Sequence, residues 1–145
     1  MEYFVKYLGL SVSEDIRGIL WIPEEHRGEQ VSMDHVAVAV AFNGFMGHVC
    51  SMHTVISRPD LLSRHMIRES FDYIFNTCDV KFVFGPVDST NKAAIEFDTR
   101  LGFKELYRIE GGGVDGDLII FGMAKQDCRW IKGKKHGIEK RAESA

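Results

Sequence analysis

VKFVFGPVDSTNKAAIEFDTRLGF, residues 80–103, changes its hydrophobic period once, and that change decides the fold. Val80 to Val87 is apolar on both alternating faces, as a strand covered on both sides is. Ser89-Thr90-Asn91 is a polar cluster able to cap a helix, because short oxygen-bearing side chains accept from the first free amides of a helix. Ala94, Ile95, Phe97 and Leu101 then recur at helical spacing, and Gly102 stops the helix as a left-handed C-cap would. The strand pattern resumes at Phe103.

Upstream, HVAVAVAF from His35 leads into Asn43-Gly44 and then FMGHVCSMHTVI. Asn-Gly tolerates the positive φ of a type I′ turn, which predicts a hairpin turning at 43–44. Arg58-Pro59-Asp60 ends the second strand, since proline cannot donate a ladder bond. Leu62, Met66, Ile67, Ser70, Phe71, Ile74 and Phe75 then share one helical face, with Arg64, Arg68, Glu69 and Asp72 off it. A strand, a helix and a strand form a right-handed crossover, which predicts segments 46–56 and 80–87 to be parallel in one sheet. Phe103–Glu110 and Asp117–Ala124 read as a second hairpin with a long flexible glycine-rich loop. Near the start, Tyr3 to Tyr7 suggests a short strand. Ser13-Glu14-Asp15 before Ile16, Ile19 and Leu20 resembles a capped helix start, and Pro23 to Gln30 is a polar loop.

The 145 residues suit one domain, 1–125, followed by a basic tail, 126–145. With 45% hydrophobic and 27% charged residues, the composition excludes disordered, collagen-like and coiled-coil classes. No apolar run is long enough for a membrane span and no signal sequence is evident, so the expected location is the cytoplasm. The net charge of −3 divides into +3 on the tail and −6 on residues 1–125. Six basic residues spread among Gly, Glu and Ala are more often a solvated end, so nucleic acid is disfavoured as a partner. Three cysteines without a CxxC pair indicate neither disulfides nor a thiolate zinc cage. His48 and His53 point to opposite strand faces by parity, so they and Cys50 predict no metal site.

The motif NKAAIEFDTRLGF, with the strand and helix before it, resembles the GNAT superfamily of N-acetyltransferases over roughly residues 35–125. Compact GNAT-like proteins of phage genomes are similar in this respect. The resemblance implies an α/β fold with a mixed, mostly antiparallel sheet, a central splayed pair of parallel strands and flanking helices. It implies acetyl-CoA as the acyl-donor substrate and direct transfer of the acetyl group to an amine, on a small molecule or a protein. No membrane partner is implied, and a homodimer is compatible with it.

By the same resemblance, the cofactor lies where strands 46–56 and 80–87 part, with Val55 and Ile56 offering backbone groups to the pantetheine amides. The pyrophosphate meets the N-terminus of the helix after Asp60, where the amides of Leu62, Ser63, Arg64 and His65 are available and Arg58, Arg64 and His65 add charge. Asn91 caps the next helix or bridges to the neighbouring strand. Two departures stand out. Family members typically carry glycines in the phosphate loop, where this chain has Leu61 and Leu62. Many carry a Tyr that protonates the departing thiolate at the position held here by Asp98. An ordinary Asp, with a pKa of about 3.9, is ionised at neutral pH, so Asp98 is either a weak acid or a surface or capping carboxylate. His53, on the strand lining the acyl group, is a candidate base for the attacking amine or an ordinary sheet histidine. Both departures also fit a GNAT-fold protein that has lost chemistry and acts as a binding or structural component.

Overall fold

The computed structural model describes residues 15–30 and 32–132. Six strands form one sheet: β1 (Arg17–Trp21), β2 (Val38–Met46), β3 (Val49–Ile56), β4 (Phe82–Asp88), β5 (Lys104–Ile109) and β6 (Leu118–Ala124). Their order is β1-β2-β3-β4-β6-β5. Helices α1 (Arg64–Asp72) and α2 (Lys92–Leu101) flank it, and residues 129–132 are also helical. Among the described strands only β3 and β4 run parallel; every other neighbouring pair is antiparallel. This is the mixed sheet with one central parallel pair that the strand–helix–strand pattern predicts.

The run HVAVAVAF is apolar throughout because both faces of β2 are covered. Val40 and Phe42 enter the main core with Phe71, Ile74 and Phe75 of the α1 segment, Leu101 of α2, and Ile119, Phe121 and Met123 of β6. Ala39 and Ala41, half a pleat away, join a smaller cluster with Ile16 and Val36. The amphipathic helix beyond Asp60 starts after a short turn at Pro59–Leu61, with Ser63 accepting from the Met66 amide at 3.2 Å. It runs on through one π-helical turn, Tyr73–Thr77, before β4. Asn91 caps α2 by accepting from the Ala94 amide at 3.2 Å, and Gly102 ends it in the left-handed conformation.

Two expectations are corrected. The segment after Asp15 is strand β1, not a helix. Gly18 disfavours a helix there, and the chain pairs residue by residue with β2 from Arg17↔Phe42 to Trp21↔Val38. Asp15 caps no helix; its carboxylate accepts from the Gly44 amide at 3.0 Å. The expected strand at Tyr3–Tyr7 lies outside the described residues. The β2–β3 hairpin exists, but it does not turn at Asn43-Gly44. Asn43 stays in the ladder opposite Ser51, Gly44 falls within the irregularity between Asn43 and Met46, and the chain reverses at Gly47-His48. Gly47, with φ of 58°, meets the backbone demand that Asn-Gly was expected to meet.

The glycine-rich loop between β5 and β6 is tied to the end of β4. Asp88 Oδ2 accepts from the Asp115 amide at 2.9 Å and the Gly116 amide at 3.2 Å, and Ser89 Oγ accepts from the Asp117 amide at 2.8 Å. Beyond β6 the chain returns to the core, burying Cys128 and Ile131, and Trp130 Nε1 donates to the Leu101 carbonyl at 2.9 Å. Among the described residues no helix is long and apolar enough to cross a membrane.

Candidate active site

The site begins where the central parallel pair fails. β3 and β4 are paired over only three residues, Val49↔Phe82 to Ser51↔Phe84. Beyond that point β3 keeps β2 as its partner to Ile56, and β4 keeps β6 to Asp88, so the two strands part. Gly85 and Pro86 sit at the parting. A Cβ on Gly85 would lie 3.2 Å from the Met52 carbonyl oxygen, so the last close approach of the strands favours a residue without one. A proline inside a sheet is tolerated only where no ladder bond is needed, and the parting provides such a place for Pro86.

The gap is a cleft of about 700 Å³. Its walls are β3 (Met52, His53, Thr54, Ile56), β4 (Gly85 to Asp88) and α2 (Ala94, Phe97, Asp98, Leu101), with Asn91 at the start of α2 and Pro59 and Leu62 at the mouth. Strand alternation puts Met52, Thr54 and Ile56 on one face of the sheet and His53 on the other. The parting opens both to the same space. The Ser57 amide donates to Ala37 at 2.9 Å, toward β2, so the main-chain groups of Thr54 and Ile56 point the other way, into the cleft. An extended amide-bearing ligand can pair with them as a short added strand.

His53 is held by residues that the turn reading of Asn43 passed over. Its Nε2 lies 2.9 Å from Asn43 Oδ1 and 3.1 Å from Ser51 Oγ. With Nε2–H donating to the Asn43 carbonyl oxygen, the lone pair of the neutral ring resides on Nδ1. Burial lowers the His53 pKa, since desolvation penalises the imidazolium and favours the neutral ring. Asp98 moves the opposite way: burial on the inner face of α2 raises its pKa to about 6. Its carboxyl lines the cleft and is partly enclosed, and at pH 7 most of it is still ionised. Burial thus favours the neutral form of both groups, and both line the same cleft.

Of the other residues named from the sequence, Ile56, Leu62 and Asn91 line the cleft. Val55 does not offer its backbone to the cleft as expected: by the same alternation its main chain faces Ala39 of β2, and its side chain packs on the second cluster, on the far face of β3. Arg58 is held by Asp60 through two bonds of 3.0 and 2.8 Å, which raises its pKa and lowers that of Asp60. The Leu62 amide donates to Pro59 at 3.3 Å, whereas the amides of Arg64 and His65 precede the first bonds of α1. Asp88, unremarked in the sequence, accepts four hydrogen bonds at the cleft wall, from the Thr90 amide and hydroxyl as well as from the loop. These hold its carboxyl well below the ordinary range.

A six-stranded sheet parting at one parallel pair, with a capped helix leaving the second strand, matches many solved structures. A variant of the spermidine N-acetyltransferase SpeG from Vibrio cholerae superposes with a TM-score of 0.67 over 92% of this chain and 76% of that one, at 12% identity. The chain has the fold of the GNAT acetyltransferases. The ribosomal-protein-S5-alanine acetyltransferase of Vibrio fischeri covers 66% of this GNAT-fold chain and 58% of its own, with a TM-score of 0.53 and 13% identity. A GNAT-family acetyltransferase of Bacillus anthracis covers 63% and 60%, with a TM-score of 0.54 and 9% identity. No family model and no curated protein matches the sequence.

Proposed function

We propose that this GNAT-fold chain transfers an acetyl group from acetyl-CoA directly to an amine. The observation that carries the proposal is the parting of β3 from β4, which gives one cleft an unpaired strand edge, a neutral histidine and a carboxyl with a raised pKa. The pantetheine pairs with the main chain of Thr54 and Ile56. The pyrophosphate sits at the start of α1, on the amides of Arg64 and His65 with the Arg64 charge beside them. Arg58 is a weaker candidate for the phosphates because Asp60 already holds its guanidinium.

In the reaction, His53 takes a proton from the ammonium form of the acceptor, directly or through water. The amine nitrogen then attacks the acetyl carbonyl, the carbon–sulfur bond breaks, and the nitrogen, now carrying the acetyl group, loses its second proton to water. Asp98 gives its proton to the departing thiolate, and the products are the amide and coenzyme A. The proposed acceptor class follows structures of the same fold, two of which are named for spermidine and for an alanine of ribosomal protein S5.

The test is calorimetry with acetyl-CoA, followed by release of free thiol on adding amines, with spermidine and an alanine-led peptide among them. Saturable binding and amine-dependent thiol release support the proposal; absence of binding overturns it. A second reading rests on Leu61 and Leu62, which stand where relatives of this fold carry phosphate-loop glycines, with Leu62 at the cleft mouth. On that reading the protein binds but does not catalyse, and acetyl-CoA binds with no thiol released in the presence of any amine.

A further inference from the structure

Beside the cleft lies a second, smaller space that an acetyl group does not need. Val38 and Val40 of β2 wall it on the sheet side and Met66, Ser70 and Phe71 of α1 on the helix side. Met52, Thr54, Leu62, Phe97 and Leu101 border both this space and the cleft. We propose that it receives the tail of an acyl chain longer than acetyl, so that the preferred donor is a short-chain acyl-CoA, with propionyl-CoA as its probe. The inference rests on the cleft holding an acyl-CoA, as proposed above, and adds the class of acyl group.

Size, polarity and position each support this. The space measures about 20 Å³. One water-sized group needs roughly 10–15 Å³, so one added methylene fits and a long chain does not. Its walls offer water nothing to bind: Ser70 is 2% exposed, and its hydroxyl already donates to the Met66 carbonyl at 2.8 Å. Val38, Val40 and Phe71 are buried. An apolar void of this kind stays dry and takes hydrocarbon, because its lining atoms lack neighbours for their dispersion contacts.

Position decides which part of the donor enters. The phosphates lie at the start of α1, on the Ile56 side of the cleft, and Thr54 is one pairing step nearer to where β3 and β4 part. The thioester therefore lies beyond Thr54, beside Met52. Of the β3 residues, Met52 and Thr54 border the second space, whereas His53 and Ile56 border the cleft alone. The space thus adjoins the cleft at its acyl end. Methionine is unbranched and adaptable, so Met52 can yield to a passing chain.

The reaction keeps its form. Propionyl-CoA and a protonated amine give the N-propionyl amide, the free thiol of coenzyme A and one proton to solvent, as the carbon–nitrogen bond forms and the carbon–sulfur bond breaks. Burying one further methylene is worth roughly fourfold in affinity. Hexanoyl-CoA carries more added carbon than the space can hold.

The experiment measures binding of acetyl-, propionyl- and hexanoyl-CoA to the full chain by calorimetry, and kcat/KM for each with any amine that supports thiol release. Propionyl-CoA should exceed acetyl-CoA by about fourfold, and hexanoyl-CoA should fall below both. Val40→Ile adds a methylene to the wall and should remove the propionyl advantage. The parent alone also locates the chain: with its methionine methyls labelled for nuclear magnetic resonance, exchanging acetyl-CoA for propionyl-CoA should shift Met52 and Met66 most. If neither donor binds, the reading of the cleft fails and the extension with it. If acetyl-CoA binds but propionyl-CoA has no advantage, or Met66 stays unshifted, the extension alone is overturned.

Discussion

Replacing Asp98 with Asn removes the proposed proton donor while keeping the size and most of the polarity of the side chain. The structure sets the size of the effect. With its pKa raised to about 6 from 3.8, Asp98 holds a proton in about one molecule in two at pH 6, one in eleven at pH 7 and one in a hundred at pH 8. An ordinary carboxyl would hold one in roughly 1,600 at pH 7, so burial makes the acid about 150 times more available. If the protonated acid speeds thiolate departure by about 10²-fold, the parent should exceed Asp98→Asn by about 50-fold at pH 6, tenfold at pH 7 and twofold at pH 8. Free-thiol release under saturating acetyl-CoA and amine measures this directly. A ratio that stays flat with pH, or no loss at all with acetyl-CoA affinity retained, refutes the acid role. Stability supplies an independent check. The native state prefers the protonated form, so the parent should lose stability as pH rises from about 4 to about 6, and Asp98→Asn should lack that decline. Denaturant unfolding across this range reads it.

His53→Gln should lower acetyl transfer by about 10²-fold with coenzyme A affinity retained, and should remove the acid-side fall in rate that the parent shows below the ordinary histidine range. An unchanged pH profile would put the base elsewhere. Asn91→Ala should destabilise the fold by about 0.5–2 kcal/mol by uncapping α2, read by chemical denaturation; no change there would mean the 3.2 Å bond to Ala94 is inert. Arg64→Ala should weaken coenzyme A binding by roughly 10–150-fold, the equivalent of one charge-assisted hydrogen bond, and Arg58→Ala by less because of Asp60. Equal affinities for parent and both variants would remove the phosphates from the start of α1.

Elements whose periodicity coincides with burial on one face were legible in the sequence. The α1 and α2 stripes, the Asn91 cap and the Gly102 stop all stand where the pattern puts them, because each depends on neighbours three or four residues away. The first strand was not legible in this way. Ile16, Ile19 and Leu20 are spaced like a helix face, and what makes the segment from Arg17 a strand is a row of partners on β2, from Phe42 back to Val38, that no local window contains. Asn43-Gly44 failed for a related reason. A local preference for a tight turn is worth little against a ladder that extends past it, and Gly47 three residues on serves the turn equally well.

The candidate site divides along the same line. The residue types were visible at 53 and 98, yet their environment is set by enclosure, which no local pattern reports: the Asp98 carboxyl has a raised pKa because α2 presents it to the cleft. A signal for that cleft was nonetheless present. Gly85-Pro86 interrupts a run otherwise suited to a strand bonded on both sides, and a strand that tolerates the loss of both a side chain and an amide donor is one whose neighbour has left it. Read this way, the dipeptide marks where β3 and β4 separate. The cleft-facing main chain of Thr54 and Ile56 on β3 and the enclosure of the Asp98 carboxyl on α2 then follow from one structural event, the early end of the only parallel pairing among the described strands.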